Sequence, residues 1–94
     1  MNIQGNTLVR GVNQPHVVIP EGVEIIGPDA FSQYDLTSII FPSTLTSIGE
    51  GAFRNTGLTS VDLSATRLTI IQQFTFAGSG LTSVKFPSTL THIR

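Results

Sequence analysis

Apolar residues in this chain recur in columns. Phe31, Phe53 and Phe76 stand 22 and 23 residues apart, and the same two steps link Ile26, Ile48 and Ile71. They also link Val17, Ile39, Val61 and Val84; Ile19, Phe41, Leu63 and Phe86; and Val23, Leu45, Leu68 and Leu90. The stretch from Leu36 to Ile48 returns almost letter for letter as Leu81 to Ile93, and a shorter copy, Leu58 to Leu63, lies between them. A fixed period of this length predicts stacked coils, each of which buries its apolar face against its neighbours.

The pattern within one period predicts the elements of a coil. Leu36, Ile39 and Phe41 follow an L-x-x-L-x-L spacing, whose last three positions alternate like a short strand with one buried face, so that Ser38 and Ile40 point outward. Proline follows at Pro20, Pro42 and Pro87, where the missing N–H ends ladder pairing. Leu45 to Ile48 predicts a second extended segment on the opposite wall, closed by glycine at Gly27 and Gly49. Ala30-Phe31 and Ala52-Phe53 predict a single helical or 3-10 turn that drives the ring into the core. The extra residue of the third repeat falls near Arg67, where it can bulge outward. Before the repeats, Ile3 to Val12 reads as a β-hairpin turning at Gly5-Asn6.

The run Leu-Thr-Ser-Ile-x-Phe-Pro-Ser-x-Leu-Thr-Ser-Ile-Gly-x-x-Ala-Phe resembles the BspA-like class of leucine-rich repeat over about residues 14 to 94. The expected fold is therefore a leucine-rich repeat right-handed solenoid, mostly β with short helical or 3-10 turns. About four coils of 22–23 residues follow a β-hairpin cap, with residues 1–13 as the cap and 14–94 as the solenoid, its last repeat incomplete. Arg94 arrives before a fourth Gly-x-x-Ala-Phe turn. The chain is expected either to be part of a longer array or to cover that end with another copy, through Leu81, Val84, Phe86, Leu90 and Ile93. The resemblance implies surface adhesion or host contact, with the chain carried at the cell surface or secreted within a longer protein.

Composition narrows the function. The chain has 94 residues, of which 12% are charged and 39% hydrophobic, and a formal net charge of -1. That balance leaves no basic footprint for nucleic acid. No stretch reaches transmembrane length, so membrane insertion is not expected, and the N-terminus carries no secretory signal. With no cysteine, thiolate metal sites and disulfides are excluded.

The chemistry that remains lies on the outward face of the strands. His16 aligns with Ser38, Ser60 and Ser83, and Val18 with Ile40, Asp62 and Lys85, so these eight residues form the candidate binding face, at intervals of about 4.8 Å. Asp62 and Lys85 are expected to pair across strands, and Val18 with Ile40 makes a small apolar patch. His16 beside Ser38 lacks the sheltered pocket and oxyanion hole that hydrolysis needs, so no enzyme activity is expected. His92 aligns with Ser47 on the other wall and cannot share a metal with His16, and no cofactor is expected. The leading expectation is a non-enzymatic module that binds a protein or glycan. The alternatives are a structural or self-associating spacer, and a water-ordering, ice-binding-like surface built from the columns Thr37, Thr59, Thr82 and Thr46, Thr69, Thr91.

Overall fold

The computed structural model describes residues 1–93 and shows a β-solenoid of about four turns. The strands are β1 (Asn2–Gln4), β2 (Thr7–Arg10), β3 (His16–Val18), β4 (Ile25–Ile26), β5 (Ser38–Ile40), β6 (Ser47–Ile48), β7 (Ser60–Asp62), β8 (Ile70–Ile71), β9 (Ser83–Lys85) and β10 (His92–Ile93). One wall is a continuous six-stranded sheet in the order β1-β2-β4-β6-β8-β10, antiparallel within the hairpin and parallel beyond it. The other wall consists of two parallel pairs, β3 with β5 and β7 with β9, which belong to separate sheets.

Register follows the repeat step throughout. Ile26, Ile48, Ile71 and Ile93 pair in sequence on the first wall, as do Val17 with Ile39 and Val61 with Val84 on the second. Equal positions stack because a slip of one residue would turn each buried side chain outward. The hairpin enters the same scheme. Leu8 pairs with Ile26 and is fully buried, so β2 extends the first wall ahead of β4 and closes the core there. Gly11 completes this closure: its N–H donates to Ala30 O at 2.8 Å, and a Cβ there would run into the Phe31 ring.

The core is the sum of the columns. Val17, Ile19, Val23, Ile26, Leu36, Leu45, Ile48, Leu58, Leu63 and Leu68 are buried, and the phenylalanines form a stack along the solenoid axis. Phe31 and Phe53 lie 5.2 Å apart at 10°, and Phe53 and Phe76 lie 5.6 Å apart at 11°. Phe41 meets Phe53 edge-on at 5.7 Å. Each such pair adds about 0.5–1.5 kcal/mol beyond the area it buries.

The Ala-Phe segments correct the expected helical or 3-10 turn. Among the described residues there is no helix; these segments are strings of hydrogen-bonded turns. In the first coil the N–H groups of Ala30, Ser32 and Tyr34 donate three residues back, to Gly27, Asp29 and Phe31. Those of Asp29, Phe31 and Gln33 donate instead to Glu50, Ala52 and Arg54 of the next coil. A helix would need every donor locally, and stacking takes alternate ones. The backbone achieves this with left-handed residues at two columns, Asp29, Gly51 and Phe74 on one side of the ring and Gln33, Asn55 and Gly78 on the other. The inserted Arg67 is exposed, as expected, and its N–H donates to Leu45 O at 2.9 Å, after which the register resumes.

Candidate functional site

The four strands of the second wall place the predicted face as the alternation requires. His16, Val18, Ser38, Ile40, Ser60, Asp62, Ser83 and Lys85 are all exposed, while Val17, Ile39, Val61 and Val84 between them turn inward. The break between β5 and β7 divides this face into two halves of different chemistry.

On the first half, Val18 is 62% and Ile40 63% exposed, side by side in register. Next to them His16 Nδ1 and Ser38 Oγ share a hydrogen bond of 2.7 Å. This pair spans adjacent strands on an open sheet, with no carboxylate among its hydrogen-bond partners. It braces the patch and has none of the surroundings that would make the serine a nucleophile.

On the second half, Ser60 faces Ser83 and Asp62 faces Lys85. The expected cross-strand ion pair is replaced by a local contact. Asp62 Oδ1 accepts the hydroxyl of Ser64 and, at 2.9 Å, its N–H. These two bonds, the hydroxyl first, hold the Asp62 carboxyl below its ordinary value, and the charge of Lys85 is the smallest influence in that direction. A partner two residues away needs no long side chain to be immobilised, so it outcompetes a lysine across the ladder. The Lys85 ammonium is left facing solvent.

Four of the six column threonines have a structural use. Thr37 donates its hydroxyl to Pro15 O at 3.0 Å, Thr46 to Glu24 O at 3.0 Å, Thr82 to Thr59 O at 3.1 Å and Thr91 to Thr69 O at 3.0 Å. Each ties one coil to the carbonyl of the coil before it.

The predicted self-association edge is divided. Leu81, Val84 and Leu90 are half-buried and pack against the core, whereas Phe86 is 46% and Ile93 63% exposed. Beside Ile93 the same end of the molecule holds a cleft of about 380 Å3, lined by Ile71, Gln72, Phe74, Thr75, Phe76 and Ala77 as well. Phe74 was not among the predicted site residues. Its signal in the sequence is an aromatic ring in a column otherwise held by Asp29 and Gly51. Among the described residues no group of three potential metal ligands comes together, and no helix is long and apolar enough to cross a membrane.

A wall of parallel in-register strands, a stacked aromatic core and an open outer face define a repeat solenoid. The chain belongs to the BspA type leucine rich repeat region family, whose model matches six copies across residues 2–94. That span includes the hairpin. No curated protein matches the chain. Membership of this family suggests a protein-interaction or adhesion module, and the repeat solenoid fold is typically non-enzymatic.

Proposed function

We propose that the chain is a non-enzymatic module that holds a protein or glycan ligand along the strand face, in the context of surface adhesion. The observation that carries this reading is the pair Val18 and Ile40, two large apolar side chains more than half exposed and in register at the ends of β3 and β5, on a face whose other outward positions are polar. Solvent-facing strand positions elsewhere on this wall hold Ser60, Asp62, Ser83 and Lys85. The apolar pair would take the desolvated centre of a contact, with His16 and Ser38 as hydrogen-bonding neighbours and Lys85 as a peripheral charge. Membership of the repeat family supports interaction as the general role.

The test measures binding of the chain to arrayed glycans and to immobilised extracellular-matrix proteins. Ile40→Asp is expected to reduce capture at least tenfold with an unchanged circular dichroism spectrum, because the exposed side chain contributes little to the fold. Ser88→Asp, on a coil corner away from this face, is the control. Equal binding by both variants overturns the reading.

A further inference from the structure

Three threonine columns run through the coils, and their hydroxyls divide by coil. In the second coil Thr37, Thr44 and Thr46 donate to the carbonyls of Pro15, Val23 and Glu24 in the coil before. In the fourth, Thr82, Thr89 and Thr91 donate in the same way to Thr59, Leu68 and Thr69. Their counterparts in the third coil do not reach back. Thr66 gives its hydroxyl to Leu63 O of its own coil at 2.7 Å, and among the described residues the hydroxyls of Thr59 and Thr69 have no partner.

The backbone repeats this pattern. Ile19 N–H donates to Ile40 O at 3.0 Å and Leu63 N–H to Lys85 O at 2.8 Å. Phe41, which stands between them in the column, makes no such bond to Asp62 O among the described residues. Thr37 N–H reaches Pro15 O and Thr82 N–H reaches Thr59 O, both at 2.8 Å, while Thr59 N–H lacks the matching bond to Thr37 O. On the first wall the Thr46 and Thr91 amides donate to Glu24 O and Thr69 O at 2.7 and 2.9 Å, but Thr69 N–H lies 3.4 Å from Thr46 O. Gly27 and Gly49 donate to Leu8 O and Ile26 O at 2.8 Å, and Gln72, next in that column, has no equivalent bond among the described residues. Each of these gaps falls between the second and third coils, where β5 and β7 belong to separate sheets.

The third coil supplies the reason. Residues 41–46 join β5 to β6, whereas 63–69, one residue more, join β7 to β8. Ser64 replaces the proline found at Pro42 and Pro87, and it takes up Asp62 within the corner. The turn wall at the same junction is fully bonded: Phe53 N–H donates to Thr75 O and Asn55 N–H to Ala77 O, both at 2.8 Å, and Phe53 stacks on Phe76.

We propose that this junction is a hinge, at which the half of the solenoid carrying β3 and β5 turns against the half carrying β7 and β9. The bonded turns are the pivot, and the strand face opens between Ile40 and Asp62. A hinge needs one side that holds and one that gives, and a stack of repeats parts first where neighbouring coils are least coupled. Phe41 and Val61 are buried beside the seam, so the closed form is the resting one. The motion does not depend on whether the strand face binds a ligand.

Amide exchange and nitrogen relaxation dispersion on the wild-type chain test it. The amides of Phe41, Thr69 and Gln72 are expected to exchange at least tenfold faster than their column partners Ile19, Thr46 and Gly49. Dispersion is expected to give one common rate for Ile39 and Phe41 on one side of the seam and Val61 and Leu63 on the other, and none at Phe53. Deleting Arg67 returns the corner to the common length, and is expected to slow exchange at Phe41 to that of Ile19 and to remove the common rate. Equal protection of the two sets of amides, or dispersion that is absent or differs between the two sides, overturns the proposal from the wild-type chain alone. A folded deletion variant that keeps both signals overturns it as well.

Discussion

At single positions the fold depends on how closely one coil lies on the next. A Cβ at Gly49 would stand 2.5 Å from Pro28 N and 2.8 Å from the Gly27 carbonyl carbon. Both are backbone atoms of the preceding coil and have no rotamer by which to move away. Gly49→Ala is therefore expected to lower stability by about 1–3 kcal/mol in urea denaturation, the usual cost of overfilling a packed site. Glu21 acts in the opposite sense. Its two carboxylate oxygens accept the N–H of Ser43 at 3.0 Å and its hydroxyl at 2.9 Å, and these bonds, the backbone one first, hold the carboxyl below its ordinary value of 4.5. A carboxyl with a lowered folded-state pKa binds protons less readily when folded. Its stabilising effect is complete above the ordinary value and is lost as pH falls through the folded one. Glu21→Gln is expected to lower the melting temperature at pH 7 and to flatten its decline between about pH 5 and pH 3. Parallel curves for the two proteins would show that Ser43 contributes nothing through this carboxylate.

At the level of strands and turns, much of the molecule was legible in the sequence. The steps of 22 and 23 residues gave the pairings of His16 with Ser38 and Ser60 with Ser83, because in-register stacking is the one arrangement that keeps all apolar columns inside. The turns were less legible. Whether Ala30 and Phe31 form a helical turn is decided by donors on alternate residues that bond to Glu50, Ala52 and Arg54, more than twenty positions away. Local sequence carries no trace of that competition, and Gln33 and Phe74 give no glycine to mark their left-handed backbone. Asp62 was misread for the opposite reason: its long-range partner was visible as a column, while the nearer Ser64 took its oxygen. The exposure of the outward strand positions follows from the alternation, but the separation of the wall into two halves has no counterpart in the repeat spacing. The threonine ladder belongs to this scale too. Thr46→Val keeps the shape and removes the hydroxyl bond to Glu24 O, and is expected to cost about 0.5–1.5 kcal/mol by chemical denaturation.

For the molecule as a whole, stability is set by neighbours along one axis. The second and third coils have a coil on each side, and Phe53 lies between two other rings of the stack. The last described coil has support on one side, and Val84, Leu90, Phe86 and Ile93 remain partly or largely open to solvent. Amide exchange is expected to be slowest around Phe53 and Leu58 and fastest across Ser83–Ile93. Uniform protection along the chain would mean that the coils unfold as one unit. The hairpin end offers a different means of observation. Tyr34 is the sole tyrosine and the chain has no tryptophan. Its ring stands edge-on to Phe31 at 6.4 Å, and its hydroxyl accepts Arg10 Nε of the hairpin at 2.9 Å. Tyrosine emission is consequently a built-in optical gauge of the hairpin's seating, and on heating it can be followed apart from the amide signal of the coils beneath.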